Sequence, residues 1–327
     1  MQRSECRPSA LSMALAAAAL ACAAASAQAA YPERPVTIVV PTAPGGGNDA
    51  FARVLAQKMG ESLKQTVVVV NKAGAQGAIA SEFVAHAPAD GYTLLFGYIA
   101  THGINPALQK LRYDPVADFA PVGMLASSPT LLVVSAASGI DSVKQLIERG
   151  KTQPDTLSYA SAGAGTAPHV TAELFKLATG TQMLHIPYKG SAPAMADTLA
   201  GTTQVMFPSL FSAYPHLGSG RIKALALAGD KRSDVLKDVP TLEELGVKGV
   251  SVPQWYALFA PAGTDAAVVG LLNRHLNAAL RDPSVIEKFK ENGADTQSST
   301  PAELGAFVKS EVARWRKVVE AAHLSAD

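Results

Sequence analysis

Three times the chain runs from a stretch that reads as a buried strand into a short Gly/Ser/Thr loop and straight on into a helical pattern. The first is Pro41-Thr42-Ala43-Pro44-Gly45-Gly46-Gly47-Asn48-Asp49; Ser161-Ala162-Gly163-Ala164-Gly165-Thr166 and Tyr188-Lys189-Gly190-Ser191 repeat the layout. Strands alternating with helices at this spacing imply right-handed βαβ units and parallel sheet. Each junction also leaves backbone N–H groups without partners at the positive end of a helix dipole, a setting that suits a carboxylate or phosphate. Several such junctions with no catalytic constellation among them imply a chain that holds a small anion without transforming it.

The first thirty residues have the layout of a secretory leader. Arg3 and Arg7 precede an apolar run over 11–21, and Ala27-Gln28-Ala29 offers a small-residue cleavage pattern, so cleavage is expected after Ala29 or Ala30. The run is shorter than the ~20 residues that span a bilayer. A lipid anchor on Cys22 is the variant reading, although Ala19 stands where such signals usually carry leucine. Both cysteines, Cys6 and Cys22, fall inside this leader, so disulfides, thiolate metal sites and cysteine nucleophiles are not expected beyond it. The chain has 28 Lys+Arg and 27 Asp+Glu, and losing Arg3, Arg7 and Glu5 balances them. A neutral chain argues against nucleic acid and against a polybasic membrane surface. No later segment is apolar enough to insert into a membrane, and a monomer without cofactors is expected.

Past the leader, 36–40 predicts a buried strand and 66–70 a second; Asn48 or Asp49 is expected to cap a helix between them that Gly60 ends. A loop over 71–77 leads into a helix through Ile79, Phe83 and Val84, followed by strand 92–96. A second series begins with strand 131–134. It continues through helix 143–149, strand 157–160, helix 168–178, strand 183–187, a helix to Ala200, strand 205–207 and strand 222–228. After an extended stretch over 255–259 the rest is helical: 267–280, 283–293 and 301–322. A helical tail with no sheet of its own must pack on one already made. The expected division is therefore a leader over 1–30, one discontinuous lobe of 31–132 with 254–327, and a second lobe of 133–253. Two crossings make a hinge, and a hinge makes a cleft.

Taken together these stretches resemble the Bug-type (TctC-like) receptors of tripartite tricarboxylate transporters. The matching residues are Tyr31-Pro32-Glu33-Arg34-Pro35-Val36, Pro44-Gly45-Gly46-Gly47-Asn48-Asp49 with Arg53, Asn71-Lys72-Ala73-Gly74-Ala75, and Pro88-Ala89-Asp90-Gly91-Tyr92-Thr93-Leu94-Leu95. Thr101-His102, Asn105-Pro106, Tyr113-Asp114-Pro115, Asp118-Phe119, Pro187-Tyr188-Lys189-Gly190, Val239-Pro240-Thr241 with Glu244 and Gly246, and Trp255 with Pro261-Ala262-Gly263-Thr264 continue the match. The resemblance implies an α/β, two-lobed type II periplasmic-binding-protein fold that closes on a small organic carboxylate and delivers it to membrane permease subunits. By position it implies one wall from Thr42, Ala43, Gly45, Gly46, Gly47 and Asp49, with Thr101 and His102 on the rim beside it. Ser161, Gly165, Thr166 and Tyr188 would face them from the second lobe. The chain departs from the family at Gln204 and Pro208, where aspartates are frequent; their loss disfavours a ligand carrying an ammonium group.

Several of these residues have plainer roles open to them. Asp49 suits a helix cap or loop organiser, since a carboxylate facing a carboxylate repels unless water or a proton intervenes. Arg53 suits an ion pair, Thr166 an N-cap, Lys189 an exposed position and Trp255 hinge packing. The seven histidines form no H-E-x-x-H pair, and no G-x-S-x-G elbow is present. An alternative to uptake is a sensor presenting the bound carboxylate to a membrane histidine kinase; a third reading is a secreted α/β enzyme acting on an anion.

Overall fold

The computed structural model describes residues 31–324. The expected leader and cleavage site, with Cys6 and Cys22, fall outside the described residues, and the compact unit described below begins at Arg34.

The apolar run Val36–Val40 forms β1, and a glycine-rich loop feeds α1 (Gly47–Leu63). Then come β2 (Val67–Asn71), a 3-10 turn at Ala75–Gly77, α2 (Ala78–Ala85), β3 (Thr93–Tyr98), a π-helical turn at Ala100–Ile104 and the short α3 (Asn105–Leu108). β4 (Phe119–Ser128) leads directly to β5 (Thr130–Ser135). The series continues with α4 (Val143–Thr152), β6 (Ser158–Ser161), α5 (Ala167–Thr179), β7 (Leu184–Pro187), α6 (Ser191–Ala200), β8 (Val205–Met206), α7 (Leu210–Leu217) and β9 (Ile222–Ala228). β10 (Gln254–Pro261), α8 (Ala266–Leu280), α9 (Pro283–Glu291), β11 (Asp295–Thr296) and α10 (Pro301–Ala321) complete the chain.

The strands form two sheets, ordered β11-β4-β10-β3-β1-β2 and β7-β6-β8-β5-β9. Both are mixed. β1 runs parallel to β2 and β3, and β6 parallel to β7 and β8; β10 runs antiparallel to β3 and β4, and β5 antiparallel to β8 and β9. The parallel pairing expected from the alternation is present among β1–β3 and among β6–β8, and the rest of each sheet departs from it: β10 and β11 run against β4, β10 also against β3, and β5 against β8 and β9. The helices α8 and α10 from the tail cover the first sheet through β4. Core side chains lie on both sheets, with Ile38, Leu94 and Phe96 in the first and Leu132, Tyr159 and Phe207 in the second fully or almost fully buried. Among the described residues no helix is long and apolar enough to cross a membrane.

Three local expectations are corrected. Asn48 and Asp49 do not cap α1: Gly46 is the N-cap, and Asp49 in the first turn accepts from the Gly45 N–H at 3.0 Å. The helix also runs past Gly60, ending where Lys64 turns left-handed (φ 53°) and donates to the Gly60 carbonyl. Likewise α4 passes through Gly150, whose missing side chain makes room for Thr181. The expected helix through Ile79, Phe83 and Val84 is present as α2; Ala80 and Val84 are buried in it, while Ile79 and Phe83 are about half exposed (50% and 46%).

Candidate functional site

The C-terminal ends of the parallel strands carry the loops, because a βα unit places its strand end and the next helix N-terminus on one edge of the sheet. From the first sheet, β1 delivers Pro41-Thr42 and β2 delivers the 74–77 turn. From the second, β6 delivers 162–164 and β7 delivers Pro187-Tyr188-Lys189. These four segments, together with Tyr98, enclose a cavity of about 280 Å³. A cavity of this size suits a small metabolite more than a cofactor. Among the described residues that line it, Lys189 alone carries a formal charge, and no acid is present. Thr42 Oγ1 is buried with no hydrogen-bond partner in the protein. Burying a hydroxyl in that way costs free energy unless something else satisfies it.

The loops meet closely. Gly190 (φ 142°) lies against Ala43, so that a Cβ there would sit 3.3 Å from the Ala43 nitrogen. Gly45 and Gly46 face Ser191 and Ala192 at the start of α6, while Gly47 faces Ser209, Phe211 and Ser212 at the start of α7. At Gly190 glycine is required, because its φ disfavours any side chain and its backbone meets that of Ala43. Gly165 (φ 73°) likewise approaches Asn105, whose Oδ1 would stand 2.7 Å from a Cβ.

Behind this lining is a layer of support. Asp49 is almost fully buried, and its Oδ2 accepts from Gly45 N and from Arg53 Nε (2.9 Å) while Oδ1 accepts from Asn71 Nδ2 (3.0 Å). Burial alone would raise its pKa, but the bonds from Arg53, Gly45 and Asn71 outweigh that and hold it below the usual carboxylate range. Asn71 also donates to the Thr42 carbonyl at 3.1 Å, tying the β1 and β2 loops together. Gln76 takes a left-handed conformation (φ 54°) and its carbonyl accepts from Asn105 Nδ2 (3.0 Å) and the Tyr98 hydroxyl (3.3 Å).

Of the residues anticipated from sequence, Thr42 and Tyr188 line the cavity. The Tyr188 hydroxyl is committed to Asp197 (2.6 Å), so the tyrosine offers the cavity its ring. Ala43, Gly45, Gly46 and Gly47 stand at the contact between the two sets of loops. Asp49 is the loop organiser. Ser161 is fully buried beneath the 162–164 loop, where its Oγ accepts from Gly163 N (3.1 Å) and pairs with His185 Nε2 (2.6 Å). Thr166 stands at the N-cap of α5 but donates its hydroxyl to the Gly163 carbonyl (2.6 Å) instead of capping.

The rim placement of Thr101 and His102 is corrected, since both are 0% exposed. Thr101 accepts from the Tyr98 N–H (3.1 Å) and its methyl lies under Gly77. The His102 ring stacks on Phe259 at 4.0 Å and meets Phe119 edge-on at 4.8 Å. Burial drives its pKa down to about 3, so it stays neutral. A base whose folded pKa lies below its unfolded value of about 6.5 gives stability that is full above that value and is lost as pH falls. His102→Phe is therefore expected to flatten the acid limb of the stability profile between about pH 6.5 and 3, as followed by urea unfolding.

The site residues anticipated from sequence did not include the 74–77 turn, Tyr98 or Pro187, whereas Ala162, Gly163, Ala164 and Lys189 lie in junction loops that the sequence marks. The glycines flanking Ala75 and Gln76 were a signal for that turn; nothing in Ala75 or Gln76 announces a positive φ. Gln204 turns out not to face the cavity. It precedes β8, where its side chain accepts from Ser158 N (2.9 Å) at the start of β6, the edge opposite the loops. Among the described residues no group of three His, Cys, Asp or Glu is placed to hold a metal.

The two-sheet α/β fold is the one found in solved periplasmic binding proteins. Residues 51–324 match the model of the tripartite tricarboxylate transporter family receptor, and the chain belongs to that family. It is similar in structure to the periplasmic binding protein BugD: TM-score 0.87, 38% identity, 90% of this chain and 99% of that one covered. It is also similar to Rpa4515 of R. palustris solved with adipate, at TM-score 0.87 and 36% identity over 90% of this chain and 99% of that one. MatC of Rhodopseudomonas palustris with bound malate gives TM-score 0.85 and 34% identity over 88% of this chain and all of that one (100%).

Proposed function

We propose that the chain is a periplasmic receptor that captures a small organic carboxylate between two lobes, 31–132 with 254–327 and 133–253, and delivers it to the membrane subunits of a tripartite tricarboxylate-type transporter. The observation that carries this reading is the cavity itself. Loops from both sheets build it, Lys189 at its wall is its one formal charge among the described lining residues, and Thr42 of that wall carries a buried hydroxyl without a partner in the protein. The adipate and malate held by its relatives support the carboxylate. Backbone amides and small hydroxyls grip a carboxylate through short charge-assisted hydrogen bonds. A solute that touches both lobes binds the closed arrangement better than the open one and so shifts the population toward it.

Malate or adipate at millimolar concentration is expected to raise the thermal midpoint of the purified protein by several degrees, since a ligand at ~100 times its Kd adds roughly 2.7 kcal/mol. A panel of mono-, di- and tricarboxylates that leaves the midpoint unmoved rejects the carboxylate assignment. Delivery is tested separately, by loss of uptake of the stabilising acid from cells lacking this gene.

A further inference from the structure

Behind the 161–166 loop lie two imidazoles that the proposed binding role does not use. His169, in the first turn of α5, and His185, on β7, face each other with ring centroids 4.5 Å apart. His185 lies flat on the Tyr159 ring at 4.7 Å. Together they reach both ends of the loop. His169 Nδ1 accepts the N–H of Gly165 at 3.1 Å, and His185 Nε2 meets Ser161 Oγ, which in turn receives the Gly163 N–H. That loop supplies Ala162, Gly163 and Ala164 to the cavity, and its Gly165 packs on Asn105 from the first-sheet side.

The Gly165 bond constrains the chemistry of His169. A backbone N–H donates only to a lone pair, so Nδ1 must be unprotonated and the neutral ring carries its proton on Nε2. Protonating Nδ1 would set two N–H groups against each other. Surroundings offer no compensation for a charge. His169 stands at the positive end of the α5 dipole, which disfavours a cation. The acid within reach, Glu173, is already claimed by Lys176 Nζ (2.8 and 3.0 Å) and by the Tyr159 hydroxyl (2.5 Å). His323, past the end of α10, lines the same 360 Å³ recess as His169, Glu173, Lys176 and His185. Two imidazoliums at 4.5 Å would also repel. Burial, with Lys176 and against Glu173, lowers the His169 pKa; burial, then His169, brings His185 down to about 4.

We propose that His169, backed by His185, is a positioning residue for the cleft loop, and that the receptor holds its carboxylate only while this pair is uncharged. As pH falls the pair takes up a proton, the Gly165 bond breaks, and the loop loses the shape that meets the ligand and Asn105. The sign is that of a base needed neutral: affinity is full while the pair is uncharged in the ligand-free fold, where burial holds both rings below the ordinary imidazole value, and declines as pH falls through that lowered range. This rests on the cavity being the ligand site.

The test compares wild type, His169→Asn and His169→Ala with malate and adipate as probes, by calorimetry at about pH 7.5 and about pH 5. Asparagine keeps an acceptor on Cγ that does not titrate. Between the two pH values wild type is expected to lose about threefold more affinity than His169→Asn; ligand ionisation cancels in that ratio. His169→Ala is expected to bind about tenfold more weakly at both, having lost the acceptor altogether. Parallel losses in wild type and His169→Asn, or an alanine variant that binds like wild type, overturn the proposal. If neither acid binds wild type at the higher pH, the ligand assignment fails instead, and the Gly165 amide resonance in ligand-free protein decides the switch. That resonance must follow an imidazole titration in wild type and not in His169→Asn; a resonance indifferent to the titration overturns the proposal.

Discussion

Gly190→Val is expected to remove measurable carboxylate binding while leaving the protein folded. Gly190 has φ 142°, a conformation open to glycine and costly for a β-branched residue. Its Cα lies so close to the β1 loop that a Cβ would already stand 3.3 Å from Ala43 N and 3.4 Å from Ala43 Cβ. Two γ-methyls add to that contact, and the only relief is for the Tyr188–Gly190 and Thr42–Ala43 loops to separate. Since those loops form opposing walls of the cavity, the closed arrangement is the casualty. A weakening of about a hundredfold or more in Kd is expected, equivalent to about 2.7 kcal/mol or more. The stability of the ligand-free chain should fall by about 1–3 kcal/mol, the usual cost of a strained backbone position. Titration calorimetry with malate and adipate, beside urea unfolding, measures both. Wild-type affinity in the valine variant would show that the loops need not touch for binding, and the two-walled site would have to be given up.

Asp49→Ala is expected to be the most damaging change behind the cavity. The carboxylate fixes three partners at once: the Gly45 amide, Arg53 and Asn71, the last of which also holds the Thr42 carbonyl. Alanine leaves the Gly45 N–H and the Asn71 carboxamide without their acceptor in a nearly closed environment. At about 1–3 kcal/mol for an unsatisfied buried group, a loss of about 2–4 kcal/mol in stability follows. Binding should weaken by at least about tenfold, because the β1 loop is then free to move. Because the Asp49 pKa is depressed, its contribution is present above the unfolded value near 3.8 and disappears as pH drops below it. The gap between wild type and alanine in urea midpoints is therefore expected to be full at neutral pH and to close below about pH 4. A constant gap across that range would mean that the carboxylate's charge is irrelevant to the loop.

The parts of the fold legible in the sequence are those written in local pattern. The β-branched run of β1, the Gly180 and Gly201 terminators of α5 and α6, and the crossing at β10 all follow from short stretches of chain. β4 was missed because Phe-Ala-Pro-Val-Gly-Met-Leu-Ala-Ser-Ser carries little β-propensity of its own; its extended shape comes from pairing with β10 along its length. Gly60 misled because a helix tolerates an interior glycine where another segment packs close, here Gln65 and Val67. The site divided in the same way. Glycine-rich turns announce themselves, so the 42–49 and 161–166 loops were visible. Gln76 was not, since its left-handed backbone is held by Tyr98 and Asn105 from elsewhere in the fold. His102 looked like a rim residue by its place after a strand; Phe259, distant in sequence, is what seals it in.

One aromatic knot lies where the two sheets adjoin. Phe211, at the start of the second-sheet helix α7, stacks on Phe51 of α1 at 3.8 Å, with Phe289 of α9 edge-on to both. Ser128, the last residue before the chain passes from β4 toward β5, accepts from Phe211 N (3.1 Å) and donates to the Gly293 carbonyl (3.1 Å). The joint thus has an oily core of its own, built from rings of both halves of the chain. A fragment cut to either side would carry a bare phenylalanine into water.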